Sequence, residues 1–357
     1  MKIWKRYLIK EQLTLILFFF LTFLSLYTII DYATHVEYFR NLSGLAKWEW
    51  VGIYYLCDFS RRLSILLPFA ILLATIRTLT KMNQQGELIV LLISGITKRA
   101  ILTPLLLIGM TGAALLYANA EFFLPKALHT LQIFQEQRAS QNKSNKGKPH
   151  VRHLILQDET SLLFQDYIRS TQTFEDVYWI RSIDEVWRMD RLSIETPHPK
   201  AYQLELLVRS SDGKMRIQEK IESQYAPKIA FNKKRLFETI TAPEERSISD
   251  LWDHLPSLTI TDEKQAHLLS VFLYKILLPT LCLFTVLFPS PTVMRFSRQP
   301  PLFLIYSFSL FALVAFILLI NAMLLLGKQQ VLSPIFAIGS PFFIASLFFL
   351  WNFRRLR

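Results

Sequence analysis

With only two cysteines in 357 residues, Cys57 beside one apolar run and Cys282 within another, the chain has no material for a disulfide framework. Phosphate-binding loops are missing too. No Gly-x-x-x-x-Gly-Lys-Ser/Thr occurs, because Lys146-Gly147-Lys148 lacks the upstream glycine, so ATP binding through a Walker A loop is excluded. Neither His-Glu-x-x-His nor Gly-x-Ser-x-Gly is present, which removes the common zinc-protease and serine-hydrolase signatures. His150 and His153 are two possible metal ligands, but no further Cys or His cluster accompanies them; solvated strand-edge histidines are the plainer reading, and no cofactor is expected. Charge is also sparse, at 19% of residues against 52% hydrophobic. Mean hydropathy is +0.28, more apolar than one soluble core requires, so lipid is the expected solvent for much of the chain.

What charge there is sums to +12, and its placement decides what it means. Between Lys126 and Lys264 there are 21 Lys and Arg against 21 Asp and Glu, so the excess lies in the apolar remainder. That is where span borders need it, and it leaves no soluble basic face for a nucleic acid. Runs long enough to cross about 30 Å of hydrocarbon lie at 13–32, 63–79, 100–123, 268–288, 302–326 and 333–351. The first is too long for a cleaved signal's core and lacks a small-residue cleavage site, so it reads as a retained helix. Four basic groups flank the runs: Lys2, Lys5, Arg6 and Lys10; Arg77, Lys81, Lys98 and Arg99; Arg295 and Arg298; Arg354, Arg355 and Arg357. They alternate as the positive-inside rule asks, which puts both termini in the cytosol and segment 125–266 outside.

That outer segment reads as a flexible polar stretch followed by strands. Leu204, Leu206 and Val208 alternate with polar residues, Ser211-Asp212-Gly213 supplies a turn, and Met215 and Ile217 resume the alternation, which makes a hairpin. Weaker runs at 153–157, 162–168 and 177–183 extend this to an antiparallel sandwich or jelly roll. The fold class is therefore a polytopic α-helical membrane protein of six transmembrane helices with an inserted all-β, jelly-roll-like domain. The expected division is 1–134 for the first three helices, 135–264 for the β domain and 265–357 for the last three.

Three features invite a functional reading. The loop 80–99 is too apolar for a turn and too short to cross, so it reads as an interfacial helix, with Met82, Ile89, Ile93 and Ile96 at helical spacing and Gly95 as terminator. Such a helix either anchors two spans or docks a cytosolic partner that meets Glu87. Lys275 lies inside the fourth run, where a charge costs roughly 2.5–3.5 kcal/mol; it pairs with an acid, lines a polar cavity or snorkels outward. Arg40, Arg61 and Arg62 fall at the outer headgroup level, suited to anionic groups or to ordinary phospholipid contact.

Several stretches carry a resemblance: Arg6-Tyr7-Leu8-Ile9-Lys10-Glu11, Leu66-Leu67-Pro68-Phe69-Ala70-Ile71-Leu72-Leu73-Ala74-Thr75, Gly86-Glu87-Leu88, Ser94-Gly95-Ile96, Ala120-Glu121-Phe122-Phe123-Leu124-Pro125-Lys126-Ala127, and Tyr274-Lys275-Ile276-Leu277-Leu278-Pro279. Together with Gly327 ahead of the last span, they resemble the lipopolysaccharide-export permeases of LptF/LptG type, over essentially the whole chain. The stretch Ser247-Ile248-Ser249-Asp250-Leu251 leans toward LptG. The resemblance implies an ABC exporter in the bacterial inner membrane in which two homologous permeases enclose a cavity for lipopolysaccharide. It further implies a cytosolic ATPase dimer docked on the loop helix, and a periplasmic jelly roll that hands the lipid to a periplasmic bridge protein. Carried over to this chain, docking falls to Glu87, Leu88, Leu91, Ser94, Gly95 and Ile96, and the lipid phosphates to Arg40, Arg61, Arg62 and Lys275. One departure is Asn83-Gln84-Gln85-Gly86, where family members often carry an Arg/Ser-rich stretch. A membrane-embedded lipid-modifying enzyme and a non-transporting scaffold are the alternatives; the missing nucleophile and metal cluster argue against the enzyme, the apolar loop helix against the scaffold.

Overall fold

The computed structural model of the chain describes residues 3–41, 46–141, 152–155, 160–168, 173–182, 184–193, 199–209, 215–225, 242–255, 263–294 and 301–355. Two compact units emerge, one of residues 1–130 and 243–357, the other of 131–242. The first is helical. Helices α1 (Ile3–Asn41) and α2 (Ala46–Gln84) have 39 residues each. At 1.5 Å per residue that is about 58 Å, well beyond the ~30 Å of hydrocarbon, so both extend past the apolar slab. The short α3 (Glu87–Ile93) separates α2 from α4 (Lys98–Ala118), and a π-helical turn, Asn119–Phe123, joins α4 to α5 (Leu124–Gln141).

Among the described residues, six helical segments are long and apolar enough to span a membrane: Ile3–Val36, Glu49–Gln84, Lys98–Phe134, Gln265–Val293, Leu302–Lys328 and Pro334–Trp351. Helices suit that role because every backbone polar group finds its partner within the segment. The second span is the hub. Its Ile71, Leu72, Ile76 and Leu79 pack in one core with Ile101, Leu102 and Leu105 of α4 and with Leu281, Cys282 and Val286 of the fourth span. In its apolar window 72% is buried, against 6% in the first span and 17% in the fifth, so those two present their apolar faces outward.

Polar ties fix the ends of this unit. At the end holding both chain termini, Lys81 pairs with Glu11 at 2.6 Å, the Asn83 amide donates to Val293 O at 3.1 Å, and Arg99 donates to Phe353 O (3.1 Å) and Arg354 O (2.7 Å). Arg99 thereby caps the last helix, whose carbonyls lack intrahelical partners. The opposite end carries a strap, a 3₁₀ turn Pro243–Glu245 followed by α6 (Ile248–Asp253). The strap precedes α7 (Glu263–Leu277), which continues through a 3₁₀ turn, Leu278–Thr280, into α8 (Leu281–Leu287) and α9 (Ser290–Val293). The last spans are α10 (Leu302–Lys328) and α11 (Pro334–Arg355).

Among its described residues the second unit holds six antiparallel strands in sequential order: β1 (Arg152–Ile155), β2 (Ser161–Ile168), β3 (Thr173–Ile180), β4 (Glu185–Ser193), β5 (Lys200–Arg209) and β6 (Met215–Tyr225). Their pairing is interrupted at one level across five strands, at Gln165, Asp176, Asp190, Gln203 and Glu222, while the register stays continuous there. Asp176 and Gln203 have φ of 49° and 52° at this line. A left-handed residue shifts the phase of the pleat, so residues three apart come to face the same side. Phe174 and Val177, Met189 and Leu192, and Ala201 and Leu204 all join one core with Leu162, Phe164 and Trp179. The sheet is creased, and its two leaves share one apolar face. Outward, Arg188 lies 3.7 Å from both Asp176 and Glu205, and Lys220 meets Glu205 at 2.9 Å. The Lys220 hydrogen bond pulls the Glu205 carboxyl below its usual range.

Several expectations need correction. Residues 80–84 belong to α2, so Met82 does not share a helix face with Ile89, Ile93 and Ile96; the break comes at Gly86, whose φ of 76° no helix accommodates. Residues 243–255, expected in the β domain, cluster with the helical unit, because charged groups on the spans hold them. The strand order, which the sequence left open, is a meander among the described residues. The turn 211–213, His150, Arg295 and Arg298 lie outside the described residues.

Candidate functional site

At the end with the termini, the feature that stands out is α3. Gly86 and Gly95, with φ of 76° and 82°, bracket it in conformations that side chains with a Cβ resist, and Thr97 caps the next helix by accepting the Ala100 N–H. Leu88 is 1% exposed and anchors the helix in the core of the spans, with Leu91, Leu92 and Ile96 packed around it. The opposite face offers Val90 and Ile93, 67% and 81% exposed, beside Glu87 in the first turn and the exposed Ser94 and Gly95. Two bare aliphatic side chains on a rigid turn, next to one acid, suit a partner with an apolar pocket and a cation. Of the expected docking residues, Leu88 is therefore the anchor rather than a contact. Leu91 and Ile96 mainly face inward, and Val90 belongs to the face although the expected set omits it.

At the strap end, charged groups from three spans converge on one short segment. Glu121, swung out by the π turn, accepts the N–H groups of Ile248 (2.9 Å) and Ser249 (3.2 Å) and the Ser249 hydroxyl. Ser247 caps the same α6 by accepting the Asp250 N–H at 3.1 Å. Lys275, 7% exposed, donates to the carbonyl oxygens of Glu244 (2.8 Å) and Arg246. The Glu244 carboxylate in turn takes the Lys328 ammonium and, at 2.9 Å, the His267 Nε2. Burial works to raise the pKa of Glu244, but the hydrogen bonds from Lys328 and then His267 outweigh it and bring it down to about 2.

Beside this cluster a cavity of about 200 Å³ is lined by Arg61, Asn119, Glu244, Tyr274 and Lys275, with apolar walls from Leu116, Leu124, Leu128 and Leu324 among others. Two expected phosphate-binding cations, Arg61 and Lys275, thus share one cavity. Arg62 turns instead to Tyr27, donating to its hydroxyl at 2.8 Å with the guanidinium 4.6 Å from the ring centroid. Arg61 and Arg62 both approach Asp58 at 3.8 Å. Arg40 is helical, and its side chain lies outside the described residues. Sequence reasoning missed Glu121, Glu244, His267 and Lys328 as one constellation. An acid inside an apolar run and a Ser-x-x-Asp helix start ahead of the fourth span were the signals available.

The family model for the lipopolysaccharide export system permease LptF/LptG matches residues 6–355. The chain belongs to the LptF/LptG family. No curated protein matches it. As a family member it is a multi-pass membrane permease, and the match takes in both the α3 face and the strap cluster.

Proposed function

We propose that this LptF/LptG chain is one permease of an ABC transporter that extracts lipopolysaccharide from the bacterial inner membrane and passes it to a periplasmic bridge protein. A cytosolic ATPase dimer drives it, and a homologous second permease completes the cavity. Its termini and α3 face the cytosol, and its β domain faces the periplasm. The observation that carries the reading is a permease-family match over nearly the whole chain together with an α3 whose exposed face has no role inside the fold. The chain holds no Walker A loop, so hydrolysis falls to the partner. The scarcely buried first and fifth spans support a second membrane-embedded subunit. Among the basic candidates, Arg61 and Lys275 share a cavity with apolar walls and are the proposed contacts for a lipid phosphate; Arg40 and Arg62 are kept as further candidates on the resemblance alone. The apolar face of the creased sheet would then receive acyl chains.

Co-expression tests this. The chain with its second permease should retain the ATPase through purification, and Glu87→Ala should weaken both retention and lipopolysaccharide export. A chain that never retains an ATPase, with export indifferent to Glu87→Ala, would end the proposal.

A further inference from the structure

The acid in the strap-end cluster occupies a position that a ligand's anion would suit. Glu244 places one carboxylate between an ammonium from the fifth span, Lys328, and an imidazole from the fourth, His267. Its side chain is 43% exposed and lines the cavity that also receives Arg61 and Lys275. A lipid phosphate entering that cavity would find two cations beside an acid that already neutralises two more donors. The cations are fixed by the spans, whereas Glu244 rides on a 3₁₀ turn of three residues. The acid on the turn is therefore easier to displace than the cations it meets.

We infer that Glu244 is an internal stand-in for an anionic headgroup: an arriving phosphate exchanges with it for Lys328 and His267, and the strap 243–253 loosens when it does. The remaining anchors, Glu121 on α6 and Lys275 on the strap carbonyls, keep the displaced strap tethered. In sequence the strap lies between β6 and the fourth span, and headgroup arrival would be read there as its loosening. The identity of the headgroup rests on the export reading above; the exchange itself rests on the geometry.

The full chain in phosphatidylcholine nanodiscs tests this, with hydrogen exchange read over 243–253 and lipid binding measured in parallel. Lipopolysaccharide should speed exchange in the strap by about fivefold, the loss expected for one partly exposed ion pair. Dephosphorylated lipopolysaccharide should not. Glu244→Gln should show the loosened strap without lipid and bind lipopolysaccharide more tightly. Lys328→Met should show the loosened strap with no such gain, which separates a seat from a mere brace. Inorganic phosphate producing the full effect at equal concentration would overturn a lipid-gated seat. Binding of lipopolysaccharide with unchanged strap exchange would overturn the exchange while leaving the export reading intact. No binding at all would sink the export reading first.

Discussion

The two ends of the helical unit are secured in opposite ways. At the end with the termini, α3 is held by apolar packing around Leu88 and by two left-handed glycines, and it leaves Val90 and Ile93 bare. At the strap end, apolar packing of Leu251 against Leu269 and Phe272 is supplemented by carbonyls, amides and a carboxylate, each met by a charged side chain from a span. Apolar anchoring is insensitive to ions and leaves a face free for a protein. Charged anchoring is open to competition by another charge, which suits a segment that must let go.

Removing the charge at the strap end should rank with the largest effects. Lys275→Met leaves the buried carbonyls of Glu244 and Arg246 without that donor and should lower stability by about 2–4 kcal/mol, read as thermal unfolding in detergent. Straining the backbone at the other end should cost less. Gly86→Ala forces a Cβ into the left-handed region and should cost about 1 kcal/mol, without changing exchange in the strap. Acid should divide the two ends as well. The folded pKa of Glu244, about 2, lies below its unfolded value, so its contribution is complete above about pH 4.3 and is lost as pH falls through about 2. Strap protection, corrected for the intrinsic slowing of amide exchange in acid, should therefore fall as pH drops through that window while α3 stays protected, and Glu244→Gln should weaken the dependence, leaving what the Glu121 carboxylate contributes. Equal quickening at both ends would erase the distinction.

The spans were legible because each is a long apolar run bounded by basic residues, a pattern with almost no competing solution in lipid. The β5–β6 hairpin was legible from its alternation. The crease was not: Gln203 and Asp176 are ordinary polar residues, and only a positive φ turns a two-residue period into three. The place of Glu87 in the first turn of α3 was legible from the apolar run after it, whereas the burial of Leu88 was not, because an amphipathic helix of seven residues has too few positions to say which apolar face is inward. Lys275 was singled out by its cost in the membrane, and an acid partner was one of the readings left open. What it serves are backbone carbonyls 29 and 31 residues upstream, a pairing that sequence spacing does not encode.

The smallest stability effect should fall on the most exposed residues. Val90→Ser and Ile93→Ser together remove little buried area, so unfolding should shift by no more than about 0.5 kcal/mol. Retention of the ATPase should nevertheless fall steeply, because bare aliphatic anchors contribute most once a partner desolvates them. Leu88→Ala should do the reverse in kind, costing about 2–4 kcal/mol through the cavity it leaves and disturbing docking only by loosening the helix. If the serine pair destabilised the chain as much as Leu88→Ala does, α3 would be a brace between α2 and α4 and its outer face would have no partner to explain it.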